Sequence, residues 1–260
     1  MLAHDMALQH DGGFLLRIED IDQSRARDAW EDQIYDDLAW LGLRWPQPVM
    51  RQSDRLDRYK TALRALWARN LVFPCTCSRR DIQVAASAPQ EGSEPAFGPD
   101  GVVYPGTCRL TQRVFAPDPM PETAALRLNM RRALEVLTAP LQYIDTDQTV
   151  TIDQDKAIHD IGDVVLARRD MGTSYHLSVV IDDWDQNITH VIRGEDLAEA
   201  TQIHVILQHL LGAPTPIYHH HKLIRDEDGK RLAKRDDARA IAKYRDDGLT
   251  PDDIRVMVGL

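Results

Sequence analysis

The sequence lacks the features that would assign it to a membrane, to secretion or to a nucleic-acid coat. No stretch of its 260 residues approaches the ~18 apolar residues of a membrane span, and the opening MLAHDMALQHDGG has neither the basic start nor the apolar run of a signal peptide. Basic residues are also too few, 31 Lys and Arg against 41 Asp and Glu, for wholesale nucleic-acid binding. We therefore predict a cytoplasmic globular protein with no membrane partner, built as one large domain or two modest ones.

Several runs rich in β-forming residues alternate with segments that have helical spacing. We predict strands in GFLLRI (13–18), YHLSVVI (175–181), NITHVIRG (187–194) and IYHHHKLI (217–224). Apolar residues recur at steps of three and four between Trp30 and Leu41, and again between Leu56 and Leu66 after Ser53, a candidate N-cap. A third helix is expected over residues 200–212, ended by Gly212. This alternation predicts an α/β fold whose ligands lie at the carboxyl ends of the strands.

The three cysteines, Cys75, Cys77 and Cys108, bracket a segment over residues 83–107 that is rich in Ala, Pro, Gly and Ser. Clustered cysteines in a cytoplasmic chain favour a metal site over a disulfide, but zinc usually takes four ligands and no histidine lies between residues 74 and 112. Candidates for the fourth ligand are Tyr104, Asp81, Glu91, Glu94 and Asp100. The alternative is a set of small buried thiols beside a loop.

A basic loop, DGKRLAKRD (228–236), follows the last predicted strand. Its Lys234 would lie at the mouth of an α/β sheet, where a lysine can donate hydrogen bonds to a phosphate and stabilise charge that develops at phosphorus. The alternative is a solvated turn. The preceding histidines, 219–221, are poorly suited to one metal ion, because adjacent residues of a strand point to opposite faces.

Four motifs together carry a resemblance to a known family. RIEDID (17–22), the CTC and YPGTCR segments (75–108), VIRGEDL (191–197) and KRLAKRD (230–236) make the chain resemble the glutamyl-Q tRNA(Asp) synthetases, short paralogues of the class I glutamyl-tRNA synthetases. The resemblance implies a Rossmann-type class I catalytic domain with a zinc-binding insertion. It also implies a ligase that activates L-glutamate with ATP and Mg²⁺ and transfers it to queuosine in the anticodon of tRNA(Asp).

The resemblance implies roles for particular residues. Glu19 would bind the α-ammonium group of glutamate, and Tyr175 and Arg193 its carboxylate side, where a guanidinium can donate two hydrogen bonds at once. Lys234 would be catalytic and would bind the ATP phosphates together with Arg231, which replaces the first lysine of the family's KMSKS loop. One zinc ion would be held by Cys75, Cys77, Tyr104 and Cys108.

The resemblance also implies an organisation for the chain. Residues 1–72 would form the first part of the catalytic core, 73–110 the zinc-binding insertion, 111–217 the second part of the core, and 218–260 the KMSKS-like loop with a short helical segment, without an anticodon-binding domain. We expect a monomer. The family's opening strand and HIGH helix are not found in this sequence, so we expect an N-terminally truncated domain that activates glutamate only when extended upstream. A non-catalytic zinc-bearing remnant that binds RNA or protein, and a fragment of a true glutamyl-tRNA synthetase, are the alternatives.

Overall fold

The structure, a computed structural model, describes residues 1–87, 95–109, 119–225 and 240–260. Within them the helices are α1 (Leu2–Gln9), α2 (Asp28–Trp40), α3 (Leu56–Ala68), α4 (Arg79–Ser87), α5 (Met130–Glu135), α6 (Gln154–Lys156), α7 (Tyr175–Asp185), α8 (Thr201–Leu211), α9 (Ile241–Asp246) and α10 (Pro251–Val258). The strands are β1 (Arg17–Ile18), β2 (Met50–Arg51), β3 (Val72–Cys75), β4 (Phe97–Gly98), β5 (Gly101–Val102), β6 (Ala125–Leu128), β7 (Gln142–Asp145), β8 (Gln148–Thr151), β9 (Val165–Ala167), β10 (His190–Gly194) and β11 (Ile217–His221). The fold is thus mixed α/β, as the alternating pattern predicts.

The chain divides into two compact units. The split unit combines Met1–Ser53 with His221–Leu260, and the central unit is Asp54–His220. In the split unit, β1 pairs with β2 in parallel, and Arg245 donates a hydrogen bond to Asp36 at 2.9 Å, which connects the two segments of the unit. The boundaries at residues 72, 110 and 217 that the resemblance implies stay a prediction.

The central unit is built around two sheets and three packed helices. Strands β3, β6 and β9 form an antiparallel sheet, and a second sheet has the order β10-β11-β7-β8, with β11 parallel to β7. Helices α3, α7 and α8 pack on one another. They contribute fully buried side chains such as Tyr59, Leu177 and Ile203. The unit therefore has its own core, which supports the loops that follow the strands.

The prediction of a strand over residues 175–181 is wrong, because this segment is the first part of helix α7. The Ser174 side chain accepts a hydrogen bond from the Leu177 backbone N–H at 3.4 Å and caps the helix. Residues 176–182 of α7 are all buried. A helix that is buried on every face has no 3.6-residue alternation of polar and apolar residues, so its β-branched run resembles that of a buried strand.

The other predicted elements are confirmed with shifted ends. Only Arg17 and Ile18 of the 13–18 segment form a strand, and Leu15 is 37% exposed. The prediction of Ser53 as an N-cap is wrong. Ser53 lies in a 3₁₀ turn (Gln52–Arg55) before α3, where its hydroxyl donates a hydrogen bond to Asp20 at 2.6 Å. Strands β10 and β11 and helix α8 lie where the sequence predicts them, and Gly212 ends α8 with a φ of 74°.

Helix α2 forms as its apolar spacing predicts, but none of its residues is buried in the structure. Trp30 is 57% exposed and Ile34 41% exposed.

Among the described residues there is no helix long and apolar enough to cross a membrane.

Candidate functional site

The three cysteines come together in the central unit around one tyrosine. Cys77 Sγ lies 3.5 Å from Cys108 Sγ, and the Tyr104 hydroxyl lies 3.5 Å from Cys75 Sγ and 3.7 Å from Cys77 Sγ. All three sulfur atoms fall within 4.8 Å of one another. These four residues form the cysteine–tyrosine cluster.

The local fold explains why residues almost thirty positions apart meet. Cys75 ends β3, and the β4–β5 hairpin turns the chain back so that Tyr104 and Cys108 face it. Between them, Gly106 has a φ of 84°, and a Cβ there would lie 2.7 Å from Arg109 Nη2, so this turn requires glycine. The Cys108 backbone N–H then donates a hydrogen bond to the Tyr104 hydroxyl at 2.7 Å.

The donor set fits a zinc ion. A Zn–S bond of about 2.3 Å in a tetrahedron places neighbouring ligand atoms about 3.8 Å apart, close to the spacings observed here. Burial by itself raises the pKa of the Cys108 thiol, but hydrogen bonds from Tyr104, the Thr76 backbone and the other two thiols outweigh it and lower that pKa to about 6. Burial raises the pKa of Cys77 to about 11. One thiolate is thus available at neutral pH, and a bound cation would favour loss of the other protons.

The two carboxylate candidates for a fourth ligand that the structure describes, Asp81 and Asp100, do not join this cluster. Asp81 accepts a hydrogen bond from the Ser78 backbone N–H at 2.8 Å, and Asp100 lies 3.3 Å from His176 Nε2. Glu91 and Glu94 lie outside the described residues. Among the candidates within the described part of the chain, the structure therefore brings only Tyr104 to the three thiols.

Asp163 binds Arg109, the residue that follows Cys108, and the sequence analysis did not select it. Its fully buried side chain contacts Arg109 Nη1 at 3.0 Å and accepts the Met130 backbone N–H at 2.9 Å. Burial raises the pKa of Asp163, while those contacts and the nearby Arg127 oppose the rise. Arg127 also stacks its guanidinium 4.1 Å from the Tyr104 ring centroid.

Arg193 lies at the centre of a second polar site in the central unit. It is on β10, and its Nε donates to His220 Nε2 at 3.3 Å, while Nη1 lies 3.1 Å from His204 Nδ1. Its Nη2 donates to Thr201 Oγ1 at 2.6 Å and to the Leu197 carbonyl at 3.3 Å. Four of its five N–H groups are therefore occupied, and one, on Nη1, is left among the described residues.

None of these partners is an acid. Within the described part of the chain, no carboxylate oxygen lies within 4 Å of Arg193, although the side chain is half-buried. Within the described residues its positive charge is therefore balanced by no direct ion pair, which is costly for a partly buried cation unless an anion binds there.

Tyr175 lies beside this arginine site, as its predicted role requires. It is the first residue of α7, and its ring centroid is 5.7 Å from that of His204. The structure thus brings Tyr175 and Arg193 to the same histidine.

Of the remaining predicted site residues, one belongs to the split unit and two lie outside the described residues. Glu19 is in the split unit, partly exposed, and accepts a hydrogen bond from Arg17 Nη2 at 3.2 Å. Lys234 and Arg231 lie outside the described residues.

The histidine run on β11 does not converge on one point, as predicted from strand geometry. His219 Nδ1 lies 3.3 Å from Thr146 Oγ1, His220 Nδ1 lies 2.8 Å from Asp145 Oδ2, and His221 Nδ1 lies 3.0 Å from the Lys222 carbonyl. Sequence reasoning did not select His220, nor the buried His204 and His176. The only signal for His176 and His204 was that polar residues occur inside otherwise apolar helical segments.

Comparison with known proteins matches residues 1–260 to the family described as tRNA synthetases class I (E and Q), catalytic domain. The chain belongs to this family, which confirms the class and the fold that the motifs indicated. It is 58% identical to the glutamyl-Q tRNA(Asp) synthetase of Rhodobacter capsulatus, over 100% of this chain and 92% of the relative. It is 34% identical to the protein of the same name from Rhodopirellula baltica, over 98% of this chain and 76% of the relative.

Glutamate–tRNA ligases are similar over part of their length. Glutamate–tRNA ligase 2 of Coxiella burnetii is 36% identical over 95% of this chain, which spans 49% of that ligase. The crystal structure of a glutamate tRNA ligase from Elizabethkingia meningosepticum, solved in complex with its amino acid, has a TM-score of 0.75 at 24% identity. The match covers 98% of this chain and 55% of that one. This structural likeness supports the fold.

Proposed function

We propose that the protein activates L-glutamate with ATP and transfers it to queuosine in the anticodon of tRNA(Asp). A carboxylate oxygen of glutamate attacks the α-phosphorus of ATP, and pyrophosphate leaves as the new P–O bond forms. A ring hydroxyl of queuosine then attacks the acyl carbon of the glutamyl-adenylate, loses its proton and releases AMP. The protein contributes mainly by positioning the reactants and by stabilising charge.

The observation that carries this proposal is the unbalanced charge of Arg193. A half-buried guanidinium that, among the described residues, contacts no acid and has one N–H left on Nη1 suits a substrate carboxylate. The geometry supports one direct hydrogen bond to that carboxylate, rather than the two-bond fork expected from the sequence. Tyr175 contributes the neighbouring wall of the pocket.

The choice of queuosine as acceptor is supported by similarity. The identity of 58% to the Rhodobacter glutamyl-Q tRNA(Asp) synthetase exceeds the 36% identity to the Coxiella ligase. The interpretations as a non-catalytic remnant or as part of a true glutamyl-tRNA synthetase are not favoured by this match.

The remaining residues take the roles that the resemblance implies. Glu19 binds the α-ammonium group of glutamate, and Lys234 and Arg231 bind the ATP phosphates with Mg²⁺. The cysteine–tyrosine cluster holds one zinc ion, which would cross-link the ends of the segment between Cys75 and Cys108. The protein acts in the cytoplasm as a monomer, and its three cysteines, which form no disulfide, suit a reducing compartment.

Amino-acid-dependent exchange of pyrophosphate into ATP tests activation directly. We expect the full-length gene product to catalyse exchange with glutamate and not with aspartate or glutamine. Replacing Arg193 by alanine should raise the KM for glutamate about ten- to a hundredfold, because a charge-assisted hydrogen bond contributes about 1.5–3 kcal/mol.

Arg168→Ala is the matched control, since Arg168 is exposed and pairs with Asp170 at 3.1 Å. An unchanged KM in Arg193→Ala would remove this residue from the carboxylate site. Exchange that does not depend on glutamate would overturn the proposed substrate.

A further inference from the structure

A continuous line of hydrogen bonds runs through the Arg193 site from one carboxylate to another. We call it the histidine–arginine chain; its members, in spatial order, are Asp100, His176, His204, Arg193, His220 and Asp145. The successive contacts measure 3.3, 3.0, 3.1, 3.3 and 2.8 Å. All six residues belong to the central unit.

The arginine determines where the protons lie on the side of His204. A guanidinium has only donors, so His204 Nδ1 must accept, and the ring proton of His204 must be on Nε2. That N–H points to His176 Nδ1, which must therefore accept as well. The proton of His176 is then on Nε2 and is donated to Asp100.

The same reasoning applies to the opposite side. Arg193 Nε donates to His220 Nε2, so the ring proton of His220 is on Nδ1 and is donated to Asp145. Each histidine is thus neutral and has one tautomer, and each end of the chain is a carboxylate that accepts the last proton. A proton added to His204 would place one N–H against another inside a buried cluster, where His204 is only 2% exposed.

We propose that His204 and His220 are positioning residues that fix the guanidinium of Arg193 for the substrate carboxylate. His176 and Asp100 act through His204 by fixing its tautomer. The rings occupy Nε and one N–H of Nη1 from two directions, so they set the rotation of the guanidinium and leave the second N–H of Nη1 for the substrate. The neutral partners also leave the positive charge available, because Asp145 is separated from Arg193 by one ring and Asp100 by two. This inference rests on the proposed role of Arg193 in glutamate binding.

The proton arrangement can be tested without any substrate. Nitrogen-15 NMR of the histidine side chains should show His204 as the neutral tautomer protonated on Nε2, still neutral at about pH 6. A doubly protonated His204, or a proton on Nδ1, would overturn the arrangement.

Positioning is tested by three variants of the full-length gene product: His204→Leu, His204→Asn and the matched control His209→Leu. We expect His204→Leu to raise the KM for glutamate about tenfold with little change in the KM for ATP, because it removes the acceptor that orients Arg193. His204→Asn keeps an acceptor oxygen near Nδ1 and should restore most of the affinity, and His209→Leu should change neither constant. An unchanged KM for glutamate in His204→Leu, or an equal rise in both KM values, contradicts a positioning role.

One further readout separates this inference from the proposed function. The Nη protons of Arg193 should give separate NMR signals in the wild-type protein and averaged signals in His204→Leu, while His204→Asn, which keeps an acceptor, should resemble the wild-type protein. Averaged signals in the wild-type protein would refute the positioning role. If the signals are separate and the wild-type protein shows no glutamate-dependent exchange, the proposed function fails while the orientation of Arg193 by His204 stands.

Discussion

The proposed set of zinc ligands depends most on Tyr104. Its hydroxyl contacts two thiols and accepts the Cys108 backbone N–H, yet burial raises the pKa of Tyr104, so it must lose a proton to bind zinc as a phenolate. We expect one zinc ion per chain by metal analysis. Cys77→Ser should lose the metal, because a thiolate is replaced by a poor ligand.

Tyr104→Phe tests whether the Tyr104 hydroxyl is a zinc ligand. If the phenolate is a ligand, this variant should bind zinc at least tenfold more weakly in a competition with a chelator, since even the loss of a group that only supports a ligand costs about that much. Full affinity in Tyr104→Phe would mean that another oxygen completes the site. Wild-type protein that binds no zinc would refute the metal site altogether.

His204 makes the stability of the protein depend on pH in a defined direction. Burial is the main cause that lowers the pKa of His204 well below 6.5; the positive charge of Arg193 acts in the same direction, as protonation of the neighbouring His176 or His220 would, and the Tyr175 ring also packs on His204. Between that lowered pKa and about 6.5 the unfolded chain binds more protons than the folded one, so the free energy of unfolding decreases as the pH falls through this window. One such group contributes a slope of up to about 1.4 kcal/mol per pH unit.

Urea unfolding of the wild-type protein and of His204→Asn, from about pH 7.5 to 5.5, measures this slope, with the pKa of about 6.5 inside the range. In the variant, the slope of the free energy of unfolding against pH should be smaller by up to about 1.4 kcal/mol per pH unit, the contribution of one proton, even if the variant is less stable at every pH. Parallel profiles for the two proteins would contradict the assigned neutral state of His204.

At the scale of single elements, the turn before Cys108 offers a test that compares two glycines. Gly106 and Gly101 both have positive φ, 84° and 99°, but only Gly106 is crowded: a Cβ there would lie 2.7 Å from the Arg109 side chain, whereas a Cβ at Gly101 would meet nothing within 4 Å. An L residue at positive φ costs roughly 1–2 kcal/mol at either position. Gly106→Ala should therefore lower the melting temperature and the zinc affinity more than Gly101→Ala does. Equal effects of the two substitutions would show that backbone strain alone matters there.

Helix α7 shows where element prediction from the sequence stops. The amphipathic α3 and α8 could be predicted because each still exposes part of its surface, whereas α7 is buried around its whole circumference from residue 176 to 182. The information that makes it a helix is tertiary: Asp182 is fully buried and accepts hydrogen bonds from Arg55 at 2.7 Å and Tyr59 at 2.8 Å. Those partners lie over a hundred residues away, so no local pattern indicates them.

The cysteine–tyrosine cluster and the Arg193 site also differ in how much of each could be predicted from the sequence. The three cysteines of the cysteine–tyrosine cluster could be grouped from the sequence because they flank one segment, whereas Tyr104 was one of five candidates and was selected through the resemblance. Arg193 and Tyr175 could be selected through the resemblance, but not the histidines that hold the arginine. Asp100 and Asp145 are separated from their histidine partners by 76 and 75 positions, so only the fold brings them together.

At the scale of the whole molecule, the central claim is that the amino acid is attached to the anticodon base. The most direct measurement is transfer of radiolabelled glutamate, by the full-length gene product with ATP, to two altered forms of tRNA(Asp). One form carries queuosine but lacks the 3′-terminal adenosine, and the other has an intact 3′ end with guanine in place of queuosine. We predict that the first form accepts glutamate as well as unaltered tRNA does and that the second accepts none. Transfer to the second form, with none to the first, would contradict the account and would make the protein a ligase that charges the 3′ end.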